Sequence, residues 1–103
     1  RAWAELARLH PRNPVPRCNL AVTEKLLGRR ESARENLRRA LEIAPDYLHA
    51  RVGLASLLYE DGEDEAARDE LFRFGVPQRA PIPTLIPWVD LAARLAFDRG
   101  ELE

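Results

Sequence analysis

An all-α fold of stacked helix–turn–helix units is predicted by three observations. The sequence repeats itself every 34 residues: Gly28 recurs as Gly62, Glu31 as Glu65, Ala33 as Ala67, Arg34 as Arg68 and Leu37 as Leu71. Leu20-Ala21 returns as Leu54-Ala55, and Pro45 stands 34 positions after Pro11. Within each period the apolar residues fall three and four apart, the spacing of one helix face. Gly and Pro fall between those stretches, where helices must end. A fixed period of this length marks units that bury their apolar faces only against neighbouring units.

The elements follow in order. Residues 1–10 carry Trp3, Leu6, Ala7 and Leu9 at helical spacing and read as the end of a preceding repeat. Pro11 and Asn13-Pro14 form a turn. Residues 14–45 are the first full repeat: one helix with Leu20, Ala21, Leu26 and Leu27 facing inward, closed by Gly28, then a second from about Glu31 to Ala44. A glycine just past a helix supplies the left-handed backbone that closes its last turn. Residues 48–79 are the second full repeat, with helices over about Tyr47–Glu60 and Glu63–Phe74 and with Gly62 between them. Glu63, Asp64 and Glu65 place negative charge at the positive end of the latter. Residues 76–87 hold Pro77, Pro81, Pro83 and Pro87 and are expected to be an extended linker. Residues 88–103 are expected to form a C-terminal helix from Trp88 to about Arg99, closed by Gly100. It opens a partial third repeat, offset by four residues from Gly28 and Gly62.

Composition narrows the function classes. No apolar run approaches the ~18 residues needed to span a bilayer, so no membrane role is expected. The sequence opens on Arg1 and reads as a fragment of a longer repeat array. One cysteine excludes an internal disulfide and fits a reducing compartment such as the cytoplasm, which otherwise stays unassigned. The net charge of −1 hides an asymmetry. Residues 1–45 carry 10 basic and 5 acidic side chains, whereas residues 46–103 carry 6 and 12. Chance and local helix needs account for this; the sharper reading is end-to-end self-association through the chain ends, weakened by salt.

The residues themselves give catalysis little support. His10 lies beside a turn, His49 begins a helix, and neither has a paired nucleophile. Cys18 reads as a small buried or groove-lining side chain rather than an activated thiol. Positions 10, 18 and 49 do not match metal-ligand spacing, and Asp61-Gly62-Glu63-Asp64-Glu65 misplaces its glycine for a calcium loop. No metal, cofactor or enzyme activity is expected. Arg29, Arg30, Arg34, Arg38 and Arg39 have no Phe or Tyr among them to stack bases, so they read as a solvated face and not a nucleic-acid site.

Asn19-Leu20-Ala21, Gly28, Ala33, Leu37, Ala40-Leu41 and Pro45, with the second copy Gly53-Leu54-Ala55, Gly62, Ala67, Leu71 and Phe74, resemble the tetratricopeptide repeat family. Phe74 departs from the small residue the family places where Ala40 stands, and Arg79 takes the place of Pro45. The resemblance implies a right-handed α-solenoid whose first helices line a concave groove. Carried over, the groove comprises Val15, Cys18, Val22 and Lys25 from the first repeat and His49, Val52, Ser56 and Tyr59 from the second. It implies a non-catalytic interaction scaffold that holds a peptide or helix of a protein partner, with Tyr59 as an anchor and Val52→Arg as a disrupting variant. The alternative is a helical accessory or oligomerisation region of a larger enzyme. The linker's Ile82, Leu85 and Ile86 are a second candidate occupant of the groove. Some relatives clamp acidic chaperone tails with Lys, Asn and Arg, but Cys18, Val22, Gly53 and His49 stand at those positions here, so that activity is not expected.

Overall fold

In the computed structural model, which describes residues 2–77 and 79–98, six helices form a stack about 47 × 30 × 20 Å. They are α1 (Ala2–Leu9), α2 (Pro14–Leu26), α3 (Arg30–Ile43), α4 (Leu48–Glu60), α5 (Asp64–Leu71) and α6 (Ile82–Asp98). α2 packs on α3 and α4 on α5; α3 joins the two pairs by lying against α4. α1 leans on α2 at one end, and α6 rests on α4 and α5 at the other.

The local chemistry repeats with the sequence. Gly28 and Gly62 adopt φ of 80° and 84° immediately past α2 and α4. Behind them Arg29 and Glu63 donate to the carbonyls of Glu24 and Leu58, while the glycine amides donate to Lys25 and Tyr59. Both turns are therefore the same two-bond helix closure, which satisfies carbonyls that a helix end leaves orphaned. At the other end of α2, Asn13 accepts from the Val15 amide and Pro14 occupies the first helical position, where no amide bond is needed.

Small residues set the helix spacing. Ala33, Ala40, Ala50, Ala55 and Ala67 are wholly buried at the contacts, and Leu37, Leu54, Leu57, Leu71, Leu91 and Leu95 fill the gaps between them. A Cβ on Gly53 would come within 3.2 Å of the Leu37 side chain, so the bare position leaves that leucine room between α3 and α4.

Three expectations are corrected. α5 ends at Leu71, not Phe74, and Gly75 closes the following turn with φ of 78°. A ring at position 74 cannot fill the sealed niche that Ala40 occupies in α3. Phe74 instead lies exposed, 4.6 Å from the Arg51 guanidinium, in a cation–π contact. The extended linker reaches only to Pro81, because α6 begins at Ile82 and not at Trp88. Pro83 falls in the first turn, where a missing amide costs nothing. Pro87 forfeits one bond, on the exposed side. The four-residue offset does not precede this helix either: α2, α4 and α6 begin at Pro14, Leu48 and Ile82, in step with the period, and α6 outruns α4 at its far end. The expected closure at Gly100 lies outside the described residues. Burial of Trp88 anchors α6. Its indole donates to the Leu71 carbonyl at 3.2 Å, and its ring meets Phe72 edge-on at 5.3 Å.

Candidate partner-binding cleft

The first helices of the successive units, α2, α4 and α6, border a cleft of about 330 Å³. From α2 it takes Cys18, Ala21, Val22, Lys25 and Leu26, and from α4 His49, Val52, Gly53, Ser56 and Leu57. Leu37 closes the floor, and Thr84 and Pro87 of α6 form the third wall. The lining follows from helix geometry, since residues three and four apart share a face.

Six of the eight residues placed in the groove by sequence border this cleft: Cys18, Val22, Lys25, His49, Val52 and Ser56. Val15 lies on α2 outside it, exposed. Tyr59 also lies outside; its hydroxyl donates to Asp98 Oδ2 at 2.7 Å, a bond that holds the phenol above its ordinary pKa. Tyr59 is thus committed to fastening α6 rather than presented to the cleft. Val52 is buried in the floor, so Val52→Arg would disturb the core and not only the groove face. Val22 is open to water at the rim, and Leu26 and Leu27, expected to face inward, are exposed at the end of α2 instead.

Of the groove occupants proposed from the linker, Ile82 and Ile86 turn outward and are exposed. Thr84 and Pro87 narrow the cleft without filling it. At the rim, the Lys25 ammonium meets Glu60 at 3.1 Å, and the His49 ring lies 6.0 Å from that of Tyr47. Burial pushes the Cys18 thiol up to about 12, which keeps it neutral and poorly nucleophilic.

Behind the cleft, polar ties recur at the same 34-residue step. Arg17 donates to Asn36 at 2.9 Å, and Asn36 donates onward to Glu24 at 2.7 Å. One unit later Arg51 donates to Glu70 and to the Pro45 carbonyl. Sequence reading missed these pairs; carrying the period onto polar positions, 17 to 51 and 36 to 70, finds them. Among the described residues no three His, Cys, Asp or Glu side chains gather as a metal site, and no helix is long and apolar enough to cross a membrane.

Residues 26–73, a little under half of the 103-residue chain, match the model of the tetratricopeptide repeat family. This segment is similar to a tetratricopeptide repeat. The match runs from the end of α2 through α3, α4 and α5, so it spans the α3–α4 junction between the two units. No curated protein and no solved structure matches the chain. Tetratricopeptide repeats generally mediate protein–protein interaction and are non-catalytic scaffolds.

Proposed function

We propose that the cleft between α2, α4 and α6 binds an apolar segment of a protein partner, either an extended peptide or one face of a helix. The convergence of apolar side chains from three successive first helices on one concave space carries this reading. A volume of about 330 Å³ sits at the small end of ligand cavities and has room for one or two bulky side chains, the scale of an anchor residue. Val22 and Leu26 extend the apolar surface beyond the cleft mouth, while Lys25, His49 and Ser56 offer polar handles that fix register. Burial of an anchor contributes about 25 cal/mol per Å² of apolar surface removed from water.

Val22→Arg is the variant that tests it, because Val22 is exposed and Arg is a good helix former. Peptides selected from a displayed random library against the native chain should carry apolar anchors at adjacent positions or at i, i+3 or i, i+4. They should perturb the amide resonances of Val22, Val52 and Ser56 and lose at least ~10-fold in affinity for Val22→Arg, the factor corresponding to about 1.4 kcal/mol. Equal binding to both proteins, or perturbation confined to α3 and α5, would overturn the assignment.

A further inference from the structure

A separate cavity of about 610 Å³ opens among α3, α4 and α5, in the interior of the chain, and shares no lining residue with the cleft. It lies where the second unit departs from the first: α5 has ended at Leu71, and Phe74 stands where the period would repeat Ala40. Leu41, Leu54 and Phe74 give it an apolar lining. Five charged side chains share that lining, Arg38, Arg51 and Arg73 with Glu42 and Glu70, an excess of one positive charge. Arg51 is the buried member, its side chain only 4% exposed. Its two terminal nitrogens donate to Glu70 and to the Pro45 carbonyl, but its Nε, cut off from water, has no acceptor. The Glu70 carboxylate is itself shared, since Arg73 reaches it at 3.4 Å. Arg38 and Glu42, one turn apart on α3, make no ion pair among the described residues. Burial holds the Arg51 guanidinium below its ordinary pKa, as befits a cation short of negative charge.

We propose that this cavity takes an acidic side chain of a protein partner, whose carboxylate pairs with Arg38 and Arg73 at the rim. A guanidinium presents two parallel donors to a carboxylate, and such charge-assisted bonds are stronger than those between neutral groups. The incoming carboxylate supplies a second negative charge where Arg51 and Arg73 now share one. The apolar lining selects a polypeptide over a free anion. Leu41, Leu54 and Phe74 offer an inorganic ion nothing, whereas they cover the methylenes of an acidic side chain and its apolar neighbours. Glu42 and Glu70 repel further negative charge, so the partner segment carries one acidic residue flanked by apolar ones rather than an acidic run. The assignment is independent of what the cleft binds, because the two spaces have no residue in common.

The test titrates the whole chain, at constant ionic strength, with acetyl-Leu-Glu-Leu-amide, with its Gln counterpart and with inorganic phosphate. The Nε–H resonance of Arg51 and the amide resonances of Arg73 and Phe74 report binding. The glutamate peptide should move them to saturation in the millimolar range, and the glutamine peptide should leave them in place. The double variant Arg38→Gln, Arg73→Gln changes two exposed positions. It should bind the glutamate peptide at least ~5-fold more weakly, since it lacks two charge-assisted partners. Its remaining amide spectrum shows whether it stays folded; if it does not, the comparison of the two peptides on the native chain decides. Equal response to both peptides overturns the proposal, as does no response, or an affinity unchanged in the folded double variant. Phosphate binding as tightly as the glutamate peptide marks an adventitious ion only and overturns it too. So do shifts confined to Val22 and Ser56, which place the peptide in the cleft.

Discussion

Cys18 packs at the wall of the cleft with almost no contact with water, and its burial couples stability to alkaline pH. Its thiol titrates near 9 when unfolded and is pushed up to about 12 in the folded chain. Below pH 9 both states hold the proton, and the stabilisation is fully present. Above it the unfolded state loses the proton first, so stability falls as pH rises towards 12, by about 1.4 kcal/mol per pH unit from this residue. Urea unfolding of the native chain and of Cys18→Ala across pH 8–11 should give a steeper alkaline loss in the native chain; parallel curves would show the thiol to be hydrated. The same burial should make Cys18 unreactive towards thiol reagents until the chain unfolds. Reading Cys18 as a small buried or groove-lining side chain was possible from its place in the apolar spacing of α2. The fate of Tyr59 was not, because its partner Asp98 lies 39 residues away and is brought near only by the packing of α6 on α4.

At the scale of the helices, Gly28 and Gly62 carry a direct test of how far the repetition extends into energetics. Both have positive φ, and a Cβ at either would meet no atom within 4 Å. Alanine there would pay only for the left-handed backbone, so Gly28→Ala and Gly62→Ala should each cost about 1 kcal/mol in chemical denaturation. Unequal losses would mean that the two closures differ in packing despite their matching hydrogen bonds. These boundaries were legible because glycine and proline act locally. The start of α6 was not legible, since four prolines in twelve residues argue against a helix until their positions are known. Pro81 lies just before the first turn and its carbonyl accepts from Thr84 and Leu85, so the cluster starts the helix instead of preventing it. The early end of α5 had a visible cause in Phe74, but the outcome depended on whether the ring could be accommodated beside Arg51.

For the molecule as a whole, the uneven charge distribution acts first as an internal seam. Arg30 and Arg34 both reach Asp61, at 2.8 and 3.2 Å, and Lys25 and Arg30 both reach Glu60. Asp61→Asn should therefore lower the melting temperature in low salt and do so progressively less as salt is added, since exposed pairs are screened. A salt-independent loss would assign the effect to the turn rather than to the seam. One unit on, hydrogen bonds between a charged and a neutral group tie the same edge: the Arg68 guanidinium donates to the Leu95 carbonyl, 34 residues after Asp61, and the Tyr59 hydroxyl donates to the Asp98 carboxylate. The charge asymmetry could be counted from sequence, but its internal use could not, because each pair spans a turn and some thirty residues. Another consequence lies in the order of contacts. Among the described residues every helix touches only helices one or two places along the chain. The conformational search is therefore local, which places folding in the microsecond-to-millisecond range of helical proteins. A nascent chain can complete each helix pair soon after its second member leaves the ribosome, without waiting for the far end to be made.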